Sequence, residues 1–167
     1  MSTIAGNYDV LKINGPLLNR ARLFVHKLQC NKEINWDNKL SDECCHEWRN
    51  IAKQVNGTPP IEIPRMVGTR DSQYRLIAFS DASKTIYGVV VYIQDLHTNK
   101  TNFLIARNRL VNKQLETKSV PSLEFQAISL GAEVLIEQYK ELSGENCVIP
   151  IKIVELCIYL DSMVSLN

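Results

Sequence analysis

The sequence predicts a mixed α/β domain: three antiparallel strands, a long helix and a fourth strand parallel to the first, all preceded by a helical segment. Three observations predict it. Residues 74–81, 87–94 and 102–110 are runs rich in Val, Ile, Phe and Tyr, separated by turn-prone stretches. An apolar pattern of helical period then opens at Pro121. A nearly all-apolar run, 151–160, closes the order.

The chain reads as helical up to about Gly57. Gly15-Pro16 punctuates, and Leu17, Leu18, Ala21, Phe24, Val25 and Leu28 then recur at helical spacing. Residues 31–38 are polar around a single Trp36. Ser41 is placed to cap a second helix, whose apolar stripe is Cys45, Trp48, Ile51, Ala52 and Val55 and whose end is Asn56-Gly57. Pro59, Pro60 and Pro64 each push the preceding residue out of the helical region. The expected division is a helical connection segment over 1–58, a linker over 59–70 and the strand-bearing domain over 71–167. Limited proteolysis should cut first within 59–65, and preferential cleavage inside 151–160 would contradict the division.

Within the second part, Gly88 sits early in the second strand and leaves its neighbour space. Pro121 stands in the first turn that proline prefers. Leu123, Ala127, Leu130, Val134 and Leu135 mark the inner face of the helix, and Gly144 is a stop. The run 151–160 is expected as a central strand covered on both faces, lying beside the first strand.

Composition excludes little but bounds the class. The 167 residues are 45% hydrophobic and 22% charged with net charge +1, enough for a real core and without a strongly basic tail. No run approaches a membrane span, and the first residues lack the charged-then-apolar order of a signal peptide. Five irregularly spaced cysteines point to free thiols rather than a disulfide framework. Cys44-Cys45-His46 has no spaced partner and reads as part of a helix rather than a zinc site.

Three acids carry the chemistry. Asp81 closes the first strand, Glu124 sits in the first turn of the helix and Asp161 closes the last strand. A single such acid is most simply a cap or turn residue. A carboxylate at a buried strand end is costly unless it is paired or holds a metal. Strand, helix and strand delivering three of them suits a hard-cation site that assembles Mg²⁺ around a phosphate, with Glu124 projecting back over the two aspartates.

The wider motifs bear a family resemblance. Phe79-Ser80-Asp81-Ala82-Ser83 followed by Tyr87-Gly88-Val89-Val90-Val91-Tyr92 resembles the first hairpin of the ribonuclease H fold. Val120-Pro121-Ser122-Leu123-Glu124-Phe125 with Ala127 is similar to the first helix of the form found in Bel/Pao-type (Pao/roo-like) retrotransposons. Tyr159-Leu160-Asp161-Ser162, with Val164 and Leu166, is similar to that family's third acidic motif. Tyr8-Asp9-Val10-Leu11, Gly15-Pro16, Arg20-Ala21-Arg22 and Trp36-Asp37 resemble the segment that follows the polymerase in those Pol polyproteins. Two positions depart from the family pattern: Leu160 stands where a small hydroxyl residue is usual, and Ser122 where a basic one is common.

The resemblance implies a ribonuclease H-like domain that hydrolyses the RNA strand of RNA–DNA hybrids by two-metal-ion catalysis. Its ligands would be Asp81, Glu124 and Asp161 and its cofactor Mg²⁺ or Mn²⁺. Arg107, Arg109, Lys113 and Lys118 would contact the nucleic-acid backbone. The implied partners are the hybrid and the polymerase part of the same polyprotein, with no membrane, in a cytoplasmic particle or the nucleus. The resembled domain continues with more helix, a fifth strand and a fourth acidic residue. The 167-residue chain is therefore expected to be C-terminally truncated and weak or inactive alone. The competing expectation is a non-catalytic ribonuclease H-like scaffold or remnant that binds nucleic acid or a protein.

Overall fold

In a computed structural model, the described residues are all but 1–8, 10, 32–33, 36, 65–66, 112–118, 145–146, 148–149 and 161–167. The chain divides into two compact units, Met1–Glu62 and Ile63–Asn167, and the division falls inside the segment read as a linker.

The first unit pairs helix α1 (Gly15–Cys30) with helix α2 (Asp42–Asn56). Ala21 and Phe24 of α1 bury against Ile51, and Trp48 stacks on Phe24 at 5.7 Å. Lys27 pairs with Glu47 at 3.4 Å and Arg20 hydrogen-bonds Gln54, so polar contacts flank the small core. Ser41 caps α2 as its position suggested, its hydroxyl accepting from the Cys44 N–H at 3.3 Å.

Asp9 holds the entry to α1. Its carboxylate accepts the N–H groups of Ile13 at 3.1 Å and Asn14 at 3.0 Å, around a turn in which Lys12 adopts φ 59°. Asp9 is buried, so its removal would leave two donors short of a partner. Asp9→Ala should lower the stability of this unit by about 1–2 kcal/mol. Both tryptophans of the chain belong to it, so the urea midpoint of their fluorescence checks this. An unchanged midpoint would mean that the turn is held by other contacts.

The second unit contains strands β1 (Gln73–Ala82), β2 (Ile86–Asp95) and β3 (Thr101–Leu110), helix α3 (Val120–Ser143) and strand β4 (Lys152–Leu160). The sheet order is β3-β2-β1-β4. β1 pairs antiparallel with β2, β2 antiparallel with β3, and β4 parallel with β1. It is a mixed α/β fold with the topology expected from the sequence.

One sheet face buries under α3. Strand alternation sends Tyr74, Leu76 and Ala78 to that face, and the paired residues Val91 and Ile93 join them. Leu123, Ala127, Leu130, Val134 and Leu135 of α3 fill the other side of the core, as their spacing predicted. At the edge of this layer Arg107 of β3 pairs with Glu137 at 2.7 Å and Arg109 with Glu133 at 3.4 Å. The hydrogen bond from Glu137 raises the Arg107 pKa further above its already high ordinary value.

The expectation that 151–160 is a central, doubly covered strand is overturned. β4 is the outer neighbour of β1, with no strand beyond it among the described residues. Val154, Leu156, Tyr159 and Leu160 are exposed on it. An apolar run reports affinity for burial on both faces but does not report how many strands are present to supply it.

Asp95 closes β2 and organises the turn into β3. Its Oδ1 accepts from the Ser72 hydroxyl at 2.8 Å and from the N–H groups of His97 at 2.8 Å and Thr98 at 3.0 Å. The Thr98 backbone bond is the largest of the effects that lower its pKa. A depressed folded-state pKa contributes stability above the ordinary carboxylate range, about 4, and loses it as pH falls through the lower folded value. Asp95→Asn should therefore lower the melting temperature at pH 7 and weaken its dependence on pH below 4. Identical acid limbs for the two proteins would show that the Asp95 charge contributes nothing.

Candidate functional site

Asp81 is the penultimate residue of β1 and lies opposite Gly88 of β2. Ser80 before it points at α3: a Cβ added to Gly131 would stand 3.8 Å from the Ser80 hydroxyl oxygen. Alternation then directs Asp81 to the other face, where it is exposed. Its Oδ1 accepts from the Ala82 N–H at 2.8 Å, which fixes the carboxylate against the strand end.

Glu124 reaches the same end of the sheet by a different route. The Leu142 carbonyl near the end of α3 accepts from the Ile151 N–H, and Ile151 immediately precedes β4, whose first residue pairs with Gln73 at the start of β1. Gly131 lies over Ser80 at the far end of β1. α3 therefore runs antiparallel to β1. Seven residues before Gly131, at 1.5 Å per residue, Glu124 stands about 10 Å further on, past the end of the strand.

Asp81 thus lies at that end on the face away from α3, and the backbone of Glu124 stands past the strand end on the α3 side. Glu124 is half-buried. Asp161 lies outside the described residues, but its predecessor Leu160 pairs with Ser80, the predecessor of Asp81. Among the described residues no three His, Cys, Asp or Glu side chains form a group able to hold a metal ion. The cation site expected from the sequence would draw on Asp81, Glu124 and Asp161. The donor chemistry fits, since carboxylate oxygens are the ligands Mg²⁺ selects.

Of the four cations expected to face nucleic acid, Arg107 and Arg109 lie on the α3 side, where Glu137 and Glu133 engage them. Lys113 and Lys118 lie outside the described residues. Gly88 does more than leave space. A Cβ there would meet the Arg107 carbonyl oxygen at 3.0 Å and the Asn108 Cβ at 3.3 Å, so β3 is packed onto it. Gly88→Ala should part β2 from β3 beside Asp81 and lower thermal stability, read as faster amide exchange at Val89 and Asn108. Unaltered exchange would show that β3 shifts without cost.

Sequence reasoning passed over Ser80. It is 6% exposed and its hydroxyl has no hydrogen-bond partner, in a strand whose other α3-facing residues through Ala78 are apolar. Its only sequence signal was a hydroxyl at an inward position of an alternating run.

A four-stranded sheet with one parallel outer strand and a long helix across one face make a mixed α/β domain of ribonuclease H-like form. The chain belongs to the Pao retrotransposon-like RNaseH-like domain family, whose sequence model matches residues 1–162. No curated protein matches it. Among solved structures it is similar to the foamy viral protease-reverse transcriptase dRH in complex with ds DNA. That similarity has a TM-score of 0.51 and 10% identity over 99% of this chain. The chain spans 25% of that one, and at this identity the likeness shows the fold.

Proposed function

We propose that this chain is the part of a retrotransposon Pol protein that contributes Asp81, Glu124 and Asp161 to a Mg²⁺- or Mn²⁺-dependent hydrolysis of RNA in RNA–DNA hybrids. One observation carries the reading. β1, β4 and α3 all deliver their acid-bearing ends to one end of the sheet, because β4 is parallel to β1 and α3 antiparallel to it. Continuing the Ser80–Leu160 register by one residue would set Asp161 beside Asp81. Glu124 would close on them beyond the strand end.

In this reading the three carboxylates repel one another when no cation is present, and that repulsion favours cation binding. A bound divalent cation supplies Lewis-acid stabilisation of the phosphate and an activated water. The chain's own part is to hold the carboxylates. The Ala82 N–H orients Asp81. Partly exposed Arg109, with Lys113 and Lys118, would face the flanking phosphates, and Arg109 would exchange Glu133 for them. The hybrid is the substrate this reading names, selected through its 2′-hydroxyls. A cleavage assay on the Pol protein carrying this chain tests it. Mg²⁺-dependent release of fragments from the RNA strand is the expected result, and a hybrid left intact by folded protein would contradict it.

A second reading draws on the face from which Asp81 issues, the one away from α3. A ribonuclease H-like scaffold that binds nucleic acid or the polymerase part of the polyprotein would have no need to close the three acids on a cation. Such a protein would bind hybrids with equal affinity in Mg²⁺ and in EDTA and never cleave them.

A further inference from the structure

The turn from β1 into β2 brings a lysine to the acid-bearing end of the sheet. Ala82 closes β1 and Ile86 opens β2, so Ser83, Lys84 and Thr85 make the turn. Lys84 follows Asp81 by three residues, a stretch of chain that spans at most about 11 Å.

This turn is tied down on both sides. The Ser83 hydroxyl donates to the Ile86 carbonyl at 2.9 Å and accepts the N–H groups of Thr85 at 3.3 Å and Ile86 at 3.1 Å. The Thr85 carbonyl accepts from the N–H of Val111, the residue after β3, at 2.8 Å. The backbone under Lys84 is thereby fixed to β2 and to the end of β3, and its four-carbon stem alone moves the ammonium.

Lys84 also differs from its neighbouring cations in carrying an unneutralised charge. Arg107 and Arg109 are engaged by Glu137 and Glu133, and Arg75 by Glu155. Lys84 is exposed, and among the described residues no acid pairs with it. The other described lysines of this unit stand at the far end of the sheet. Lys100 lies in the turn from β2 to β3, Lys140 in the last turn of α3, and Lys152 opposite Gln73.

We propose that Lys84 binds a backbone phosphate of the substrate strand, beside the phosphate that meets the carboxylates. The proposal rests on the hydrolysis reading above and adds a substrate contact to it. A polyanion approaching clustered carboxylates is repelled at every phosphate that no metal neutralises. A fixed ammonium just beyond the acids offsets that repulsion, and the bonded turn sets its distance from Asp81. An ammonium reads charge and not base edges, so the contact is independent of sequence. It acts alike on bound substrate and transition state, so it lowers KM and leaves kcat as it is.

The test is fluorescence anisotropy of this chain with a labelled RNA–DNA hybrid in EDTA, over a series of salt concentrations. Lys84→Gln should weaken binding on the order of fivefold at low salt and flatten the slope of log affinity against log salt by about one. Lys84→Arg, which keeps the charge, should bind like the parent. Lys100→Gln removes the same charge at the far end and should leave the slope unchanged. In the Pol protein, Lys84→Gln should raise KM for the RNA strand with kcat unaltered. A Lys84→Gln slope equal to the parent's, an arginine variant as weak as the glutamine one, or an equal loss from Lys100→Gln would overturn the contact. So would a folded chain that binds no hybrid. EDTA keeps the result apart from the hydrolysis reading. A slope that responds to Lys84 in a protein that never cleaves sustains the contact and removes the hydrolysis, and cleavage with an indifferent Lys84 does the reverse.

Discussion

Replacing Asp81 by Asn in the Pol protein that carries this chain should reduce Mg²⁺-dependent cleavage of the hybrid's RNA strand on the order of a thousandfold or more. The amide keeps the shape of the side chain and its acceptor for the Ala82 N–H, so the strand end stays as it is. It removes one negative charge from the three acids proposed to hold a divalent cation. The same substitution should cost almost no stability in metal-free buffer, because Asp81 is exposed and the amide keeps its shape. A large kinetic loss with an unchanged melting temperature is the expected pair of results. Cleavage that survives the substitution would locate the activity elsewhere in the protein.

The largest effect on stability should come from Leu76→Ala. Leu76 is 0% exposed, on an interior strand beneath α3, and its truncation leaves a cavity lined by side chains that cannot collapse into it. The expected loss is about 2–5 kcal/mol, against a whole-domain stability of about 5–15 kcal/mol. Leu156 is the neighbour of Leu76 in the parallel register but is 44% exposed, and Leu156→Ala should cost less than about 1 kcal/mol. Urea unfolding followed by far-ultraviolet circular dichroism measures both. Similar losses at the two positions would mean that β4 is covered in solution, contrary to its place at the edge of this sheet.

Much of this fold was legible in the sequence because period reports burial. The alternation in 74–81, 87–94 and 102–110 located β1, β2 and β3 to within one residue at each end. The inward residues of α3 were read correctly from helical spacing, since a helix with one covered face must repeat its apolar residues that way. Burial of β4 was misjudged because Ile153, Val154, Leu156 and Tyr159 look the same in sequence whether or not a neighbour is present to cover them. The face from which Asp81 leaves the sheet was also out of reach. It depends on a one-residue phase fixed by Ser80 meeting Gly131, a contact between positions fifty-one residues apart. The charges of Arg107 and Arg109 suggested nucleic acid, but their placement depends on which face of β3 meets α3, and Glu133 and Glu137 engage them there.

Anomalous scattering from crystals of the Pol protein soaked in Mn²⁺ tests the carboxylate site most directly. The expected result is a manganese peak beyond the C-terminal end of β1, with carboxylate oxygens of Asp81, Glu124 and Asp161 within about 2.0–2.4 Å of the metal. Crystals with full Mn²⁺ access and no peak at that position, or a peak held by Asp81 alone, would contradict a shared cation site and leave the scaffold reading in its place.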